Sequence, residues 1–317
     1  MRAATIPAAL VLAGGLLLAA CAPGSPPAVV ELPELPMRSW VPETPPKAVI
    51  LALHGFNDYS KAFATFGDHA AEQGYAVFAY DQRGFGANDD AGYWPGIDQL
   101  VADLRAQRAL LAERYPEVPL YLLGESMGAA VVIAAASQRK PLDVAGIVLS
   151  APAVWGLDQL NPFYRATLWV TVRLAPNLRL TGKGLEILPS DNIEMLRELG
   201  ADPLVIKGTR VSAIAGLVGL MDLALAASPS LPGPLLVLGG VQDQVVPPDA
   251  HKAMLAQLTA GPCTEVTYPE GYHMLLRDLQ RRLVWEDVLA WIEGRPLPSG
   301  LAQACGVDVM QAGAALG

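Results

Sequence analysis

Positive charge is scarce in this sequence: 22 Lys and Arg residues stand against 31 Asp and Glu, a net charge of −9 over 317 residues. Without a basic stripe to follow a phosphate backbone, the sequence does not predict nucleic-acid binding. It contains no Cys-x-x-Cys pair and no cluster of His and Cys, so it predicts no metal site. It also shows no internal repeat, which argues against a solenoid or propeller.

Apolar residues are plentiful instead, at 52% of the chain, and the mean hydropathy of +0.32 is high for a soluble enzyme. Part of this excess lies at the start, where the positive Met1-Arg2 precedes an apolar run over 6–20. The run is too short for a comfortable membrane span and has the order of parts of a secretory signal.

The apolar run ends in Leu-Ala-Ala-Cys at Cys21, which resembles the lipobox of bacterial lipoproteins. The resemblance implies a lipoprotein signal peptide over 1–20, acylation of Cys21, and a membrane anchor of two or three acyl chains. It places the protein in the bacterial cell envelope, on the periplasmic or outer-membrane side. The alternative is an ordinary cleaved signal with an incidental cysteine. Residues 21–46 then form a linker with one or two edge strands over 29–41.

Two further cysteines, Cys263 and Cys305, remain if Cys21 carries lipid. An even number of cysteines in an oxidising compartment favours a disulfide, which would tie the C-terminal tail to the domain. Two separate thiols are the alternative, because sequence does not give the distance between them.

Apolar runs of strand length alternate with helical patterns along most of the chain. Unbroken apolar strands of this kind predict an α/β fold with a mostly parallel, doubly wound sheet. The alternation lapses over 155–232, which we interpret as an inserted helical cap between core segments 47–154 and 233–294, followed by a tail over 295–317. The predicted strands are 48–53, 75–80, 119–123, 145–149, 234–238 and 264–268, and the predicted helices include 58–73, 97–114, 127–137, 249–258 and 275–292.

Residues with side chains that can take part in catalysis directly follow several of these strands. In doubly wound folds this edge of the sheet, at the carboxyl ends of the strands, binds ligands. Ser126 lies in Gly-Glu-Ser-Met-Gly between a strand and a helix, the pattern of a nucleophile elbow. Asp243 and His273 follow two later strands, so the order Ser, Asp, His is that of a hydrolase triad. The alternative is that Ser126 is an ordinary helix N-cap, but an N-cap does not need glycine two residues before it and two residues after it. Asp249 and Asp222 are weaker rivals of Asp243.

Six motifs in this order resemble the α/β-hydrolase superfamily, and within it the monoacylglycerol lipase/lysophospholipase group, also labelled serine aminopeptidase-like. They cover roughly residues 47–293 and read HGFNDYS, YDQRGFGAN, LLGESMG, DPL, GGVQDQVVPP and EGYHMLLRD. The resemblance implies the α/β-hydrolase fold, Ser126 as nucleophile, and backbone N–H groups of Phe56 and Met127 as the oxyanion hole. It implies no metal and no organic cofactor. Glu125 stands where close relatives often have histidine, and this change predicts no loss of activity.

The segment 211–227 is apolar nearly all round, with Ser212 and Asp222 as polar exceptions. It is either a helix packed on the core or a cap wall that sheathes an acyl chain or touches a lipid surface. Further apolar side chains of this region are Trp155, Phe163, Tyr164, Leu168 and Trp169. We therefore predict a serine ester hydrolase for monoacylglycerols, lysophospholipids or similar acyl esters. A peptidase or thioesterase would use the same triad, and a non-catalytic envelope lipoprotein is the remaining alternative.

Overall fold

The computed structural model describes residues 34–155, 161–182, 184 and 186–306. The chain divides into two units, residues 1–34 and residues 35–317, and every described strand and helix belongs to the second. The signal segment, Cys21 and residues 29–33 of the predicted edge-strand stretch lie outside the described residues.

Ten strands and eight helices follow one another along the described chain. The strands are β1 (Met37–Trp40), β2 (Val49–Leu53), β3 (Ala76–Tyr80), β4 (Leu120–Glu125), β5 (Gly146–Ser150), β6 (Arg179–Leu180), β7 (Thr209–Arg210), β8 (Leu235–Gly240), β9 (Cys263–Tyr268) and β10 (Gln303–Ala304). The helices are α1 (Ala64–Glu72), α2 (Ile97–Arg114), α3 (Met127–Ala136), α4 (Pro162–Leu174), α5 (Ile193–Ala201), α6 (Val211–Ala227), α7 (Pro248–Leu255) and α8 (Arg281–Ile292).

Eight of these strands form one sheet in the order β1-β3-β2-β4-β5-β8-β9-β10. The six central strands run parallel, and β1 and β10 pair antiparallel at the two edges. Strand β2 is buried throughout, with Val49 and Leu51 packed on one face and Ile50 on the other. Helices α2, α3 and α7 cover the first face, and α1 and α8 cover the second. The predicted mostly parallel, doubly wound sheet is confirmed.

Between β5 and β8 the described residues form α4, α5 and α6, together with one short antiparallel pair, β6 with β7. Helix α6 with the turn after it, Val211–Ser230, is long and apolar enough to cross a membrane by composition. In the structure, however, α6 packs against α3, and its Leu220 and Ala224 are buried in the main core. Helix α6 therefore packs on the core along one side, with 33% of its apolar window buried.

The last predicted helix is shorter than its apolar pattern. Residues 275–280 form turns, and α8 begins at Arg281. The carboxylate of Asp278 explains the difference, because it accepts hydrogen bonds from Tyr272 N at 2.8 Å and Ser190 Oγ at 2.6 Å and so closes a loop. Burial raises the pKa of Asp278 to about 6, against the opposing effect of these hydrogen bonds.

The C-terminal tail carries a strand that the sequence pattern does not reveal. Strand β10 pairs with β9, and a disulfide joins Cys263 to Cys305 with their Cα atoms 5.4 Å apart. The tail is thereby fixed to the edge of the sheet, on β9 itself.

Asp202, at the end of α5, joins the cap to the catalytic core. Its Oδ2 atom accepts hydrogen bonds from Tyr59 Oη at 2.8 Å and Lys61 Nζ at 2.9 Å. The hydrogen bond from Lys61 is the largest cause that lowers the pKa of Asp202 to about 2, and burial opposes it. A carboxyl whose pKa falls on folding stabilises the folded state while it is ionised.

We predict that the free energy of unfolding falls as the pH drops from about 4, where an unfolded Asp starts to protonate, through about 2. Asp202→Asn is expected to be less stable at neutral pH and to show a shallower decline, because it has no such proton to take up. Lys61→Met should show an intermediate slope. Urea unfolding at several pH values measures this, and parallel curves for wild type and Asp202→Asn would contradict it.

Candidate active site

Four chain segments meet at the carboxyl edge of the central strands. Ser126 directly follows β4, Asp243 follows β8, and His273 follows β9. Phe56 lies in the turn after β2, the strand that neighbours β4. Because parallel strands end at the same edge, residues far apart in sequence are brought into one site.

Ser126 lies in a strained turn between β4 and α3. Its φ of 54° and ψ of −114° are unusual for a residue with a side chain, and its N–H donates to Ser150 O at 2.9 Å. A Cβ atom on Gly124 would lie 2.5 Å from the backbone of Ala129, and one on Gly128 would lie 2.1 Å from Leu53 O. Glycine at both positions is therefore required by close packing of backbone around the serine.

The three predicted triad residues form one hydrogen-bonded chain. His273 Nε2 lies 2.9 Å from Ser126 Oγ, and His273 Nδ1 lies 2.8 Å from Asp243 Oδ2. With Nδ1–H donating to the carboxylate, Nε2 is free to accept the serine proton. The arrangement can thus generate a serine nucleophile.

Asp243 is held in its ionised form. Burial opposes ionisation, but the hydrogen bond from His273 and those from the N–H groups of Val245 and Val246 outweigh it, so the pKa of Asp243 lies below its usual value. The two backbone bonds to Oδ1 measure 2.7 and 3.0 Å. The two alternative candidates for the triad carboxylate lie in helices: Asp249 is in the first turn of α7, and Asp222 is on α6.

The two predicted oxyanion donors flank the serine. Met127 is the first residue of α3, and the turn that precedes Phe56 lies against the nucleophile, since a Cβ on Gly55 would be 3.5 Å from Ser126 Cβ. His54 holds this turn: its Nδ1 donates to Gly55 O at 2.8 Å, and its Nε2 accepts the Gln82 N–H at 2.9 Å. Burial lowers the pKa of His54, which keeps this neutral, structural form.

A cavity of about 390 Å³ opens beside Ser126 and His273. Helix α6 supplies three apolar residues of its wall, two more come from other parts of the cap region, and the remaining apolar lining comes from core loops. Its apolar residues are Phe56, Ala153, Trp155, Pro189, Leu217, Val218, Met221, Val245, Val246 and Met274. Its polar residues, besides the serine and histidine, are Asp58, Glu125 and Arg277. The cavity is therefore mostly apolar with one charged region.

Arg277 connects the segments that carry the reacting groups. Its Nη1 lies 2.7 Å from Asp58 Oδ2, two residues after Phe56, and its Nη2 donates to Glu125 Oε1 at 3.0 Å, directly before Ser126. Arg277 itself lies four residues after His273, and all three charged side chains are buried. Burial alone would lower the pKa of Arg277, but the carboxylates of Asp58 and Glu125 outweigh it and raise the value.

The sequence does not predict the cluster formed by Asp58, Glu125 and Arg277. The sequence predicts little consequence for Glu125, yet it is 1% exposed and paired to Arg277. The one available signal is that a charged residue stands in the middle of the elbow, where both neighbouring segments are apolar. Charges in such surroundings are buried only with a partner, but nothing in the sequence names the partner.

Fold and geometry together define the class: a serine hydroxyl held by a histidine and a carboxylate, beside two backbone N–H groups, is the site of a serine hydrolase. Among the residues that the structure describes, no group of three or more His, Cys, Asp or Glu is placed to hold a metal ion. The chain belongs to the Hydrolase_4 family, described as serine aminopeptidase, S33, whose profile matches residues 44–280. The predicted membership of the α/β-hydrolase superfamily is thereby confirmed.

Individual relatives agree with this family. The chain is 28% identical over 255 residues to a monoacylglycerol lipase of Mycolicibacterium smegmatis, covering 80% of this chain and 90% of the relative. It is 27% identical over 270 residues to the human monoglyceride lipase, covering 84% and 88%. The crystal structure of Paleococcus ferrophilus monoacylglycerol lipase superposes with a TM-score of 0.70 at 22% identity, covering 82% of this chain and 99% of that one.

We predict that Arg277→Met lowers the free energy of unfolding by about 3–5 kcal/mol, because it leaves two buried carboxylates without a counter-charge. Arg277→Lys should recover only part of the loss, since one ammonium group does not reproduce two guanidinium contacts. Arg282→Met is the matched control: its side chain is 78% exposed and pairs with Glu286, so a change within about 0.5 kcal/mol is expected.

Urea unfolding gives these stabilities, and ester hydrolysis by the folded variants gives the effect on the site. Glu125→Gln keeps a hydrogen-bond acceptor for Arg277 while removing one charge, so it tests the cluster in a variant that retains the pairing. Wild-type stability and turnover in Arg277→Met would show that the cluster neither holds the fold nor positions the serine.

Proposed function

We propose that this protein is a serine hydrolase that cleaves acyl esters of the monoacylglycerol type through an acyl-enzyme on Ser126. The observation that carries the proposal is the hydrogen-bonded chain Ser126–His273–Asp243, which opens into a mostly apolar cavity. An acyl chain fits apolar walls, and a polar alcohol fits the charged region beside the serine. The names of the relatives, monoacylglycerol lipase and monoglyceride lipase, support the same substrate class.

The reaction follows from the positions of the atoms. Ser126 Oγ attacks the ester carbonyl carbon while His273 Nε2 takes the serine proton, and Asp243 stabilises the cationic imidazole. Backbone N–H groups of Phe56 and Met127 receive the oxyanion, each worth roughly 3–4 kcal/mol in the transition state. His273 then protonates the departing alkoxide, leaving an acyl-enzyme. Water, activated by the same histidine, releases the fatty acid and restores Ser126.

We predict that Ser126→Ala loses labelling by a fluorophosphonate probe and that its turnover of monoacylglycerol falls by about 10⁴-fold or more. The probe forms its bond with the activated serine oxygen, which the variant lacks. Ser137→Ala, at the far end of α3, removes a comparable hydroxyl from the same helix and should label like wild type. Equal labelling of wild type and Ser126→Ala would defeat the assignment of the nucleophile.

A substrate panel separates the lipid-ester assignment from the alternatives that share the triad. Monoacylglycerols and lysophospholipids of increasing chain length are compared with p-nitrophenyl acetate, a thioester and an aminoacyl naphthylamide. Higher kcat/KM for longer acyl chains is expected, because each methylene buried in the apolar cavity adds about 0.8 kcal/mol of binding. Preference for acetyl esters, or for the naphthylamide, would count against it while leaving Ser126 as nucleophile.

We further propose that residues 1–20 are removed as a lipoprotein signal and that acylated Cys21 anchors the protein in the bacterial cell envelope. This rests on the sequence pattern, since these residues lie outside the described part of the chain. Cys21→Ser is expected to move the protein from the membrane fraction to the soluble fraction after expression in a bacterial host. Cys305→Ser, which leaves the lipobox intact, is the control. Membrane retention of Cys21→Ser equal to wild type would refute acylation as the anchor.

A further inference from the structure

The loop that carries His273 is hydrogen-bonded to a short segment of the cap, residues 189–192, directly before α5. Every residue of this segment bonds to the stretch 274–279. The bonds run from Met274 N to Pro189 O at 3.0 Å, from Ser190 Oγ to Asp278 Oδ1 at 2.6 Å, from Leu279 N to Asp191 Oδ1 at 2.8 Å and from Asn192 Nδ2 to Arg277 O at 2.9 Å. The cap and the histidine loop are therefore joined along their whole line of contact.

Two of these bonds hold the residues on either side of His273. Met274 N is bound directly to Pro189 O, whereas Tyr272 N donates at 2.8 Å to the second oxygen of Asp278, whose first oxygen is bound by Ser190. Consecutive cap residues thus restrain both backbone N–H groups that flank the histidine. Because these groups are fixed, the direction in which the imidazole leaves the backbone is fixed as well.

The sheet alone does not supply this restraint. Strand β9 ends at Tyr268, and His273 follows in the loop beyond it. Its ring must reach Ser126 Oγ at 2.9 Å and Asp243 Oδ2 at 2.8 Å together. A displacement of about 1 Å can cost about 100-fold in rate, so such a ring needs support from the residues around it.

We propose that Ser190 and Asp278 are positioning residues, through which the cap orients His273. The proposal rests on the proposed function, because it takes His273 as the base for Ser126. Ser190 and Asp278 are both 0% exposed, so they act through the histidine and do not touch substrate. Their restraint acts on the backbone of the loop and so differs from that of Arg277, which joins segments through its side chain. The cap is on this basis a part of the catalytic geometry as well as a cover.

Steady-state hydrolysis of a soluble p-nitrophenyl ester tests the proposal. Asp278→Ala should lower kcat about 10- to 100-fold, since His273 serves both acylation and deacylation. Its KM should stay within about twofold, because the apolar cavity wall is unchanged. Ser190→Ala removes one hydrogen bond and should lower kcat about three- to tenfold.

Asp278→Asn is the conservative rescue. Its amide keeps an acceptor for Tyr272 N and offers a donor to Ser190 Oγ, so kcat should lie within about threefold of wild type. Full loss of kcat in Asp278→Asn, equal to that in Asp278→Ala, would contradict a role in positioning through hydrogen bonds.

Two matched controls separate positioning from stability. Asp287 on α8 is 0% exposed and accepts hydrogen bonds from Tyr268 Oη and Ser299 N, the same two kinds of donor that Asp278 binds. Ser228 is 0% exposed and donates to Leu225 O at 2.7 Å. Asp287→Ala and Ser228→Ala should lose stability in urea comparable to that lost by Asp278→Ala and Ser190→Ala, yet keep kcat within about twofold. A fall in kcat that follows stability alone across all four variants would overturn the proposal.

Proton NMR observes the histidine directly, because the Nδ1 proton shared with the Asp243 carboxylate resonates far downfield. This resonance is expected in wild type, Ser228→Ala and Asp278→Asn, and should be shifted upfield or lost in folded Asp278→Ala. An unchanged resonance in Asp278→Ala would overturn the proposal. A wild type that a fluorophosphonate does not label would refute the proposed function and this role with it. An active wild type matched in kcat by Asp278→Ala and Ser190→Ala would refute the positioning role alone.

Discussion

One buried guanidinium holds the active site together. Arg277 lies on the loop that carries His273, and it is paired with Glu125, directly before Ser126, and with Asp58, two residues after Phe56. The nucleophile, the base and one oxyanion donor are thus joined by a single side chain as well as by the sheet. Strand ends bring the segments to the same edge, but a parallel sheet does not fix how the loops beyond it are oriented. Arg277 supplies that restraint.

The charge balance of this cluster affects the chemistry next to it. Two carboxylates face one guanidinium, so the site retains a net negative charge beside the histidine that becomes cationic during the reaction. The same charge opposes an oxyanion formed at Ser126. Pairing Glu125 with Arg277 therefore matters most at the residue that adjoins the nucleophile, because an uncompensated carboxylate there would cancel part of what the N–H groups of Phe56 and Met127 contribute.

Local sequence patterns predict the fold and the positions of the triad residues. They do not predict which side chains pair with each other when the residues are far apart in sequence. Gly124 and Gly128 are demanded by contacts within one tight turn, and such constraints leave a short pattern in the sequence. The partners Glu125 and Arg277 are 152 residues apart, and no periodicity connects them. The prediction that the last helix begins at Leu275 was wrong for the same reason. Asp278 accepts a hydrogen bond from Ser190, far away in sequence, and the helix begins only at Arg281.

Apolar residues of the cap show a second limit of sequence patterns. The sequence predicts Trp155, Phe163 and Trp169 as apolar residues of the cap. The structure places Trp155 in the cavity wall and leaves Phe163 and Trp169 exposed on α4. Periodicity gives an apolar side of a helix without saying whether protein or solvent covers it.

The apolar lining of the cavity addresses the main energetic problem of a lipid ester as substrate. Moving an acyl chain of a dozen methylenes from a bilayer into water costs about 10 kcal/mol, at about 0.8 kcal/mol for each CH₂. A tether alone does not remove this cost, because it brings the enzyme near the membrane without excluding water from the path. The apolar lining of the cavity offsets the cost at the end of the transfer, because the acyl chain leaves water again beside Ser126.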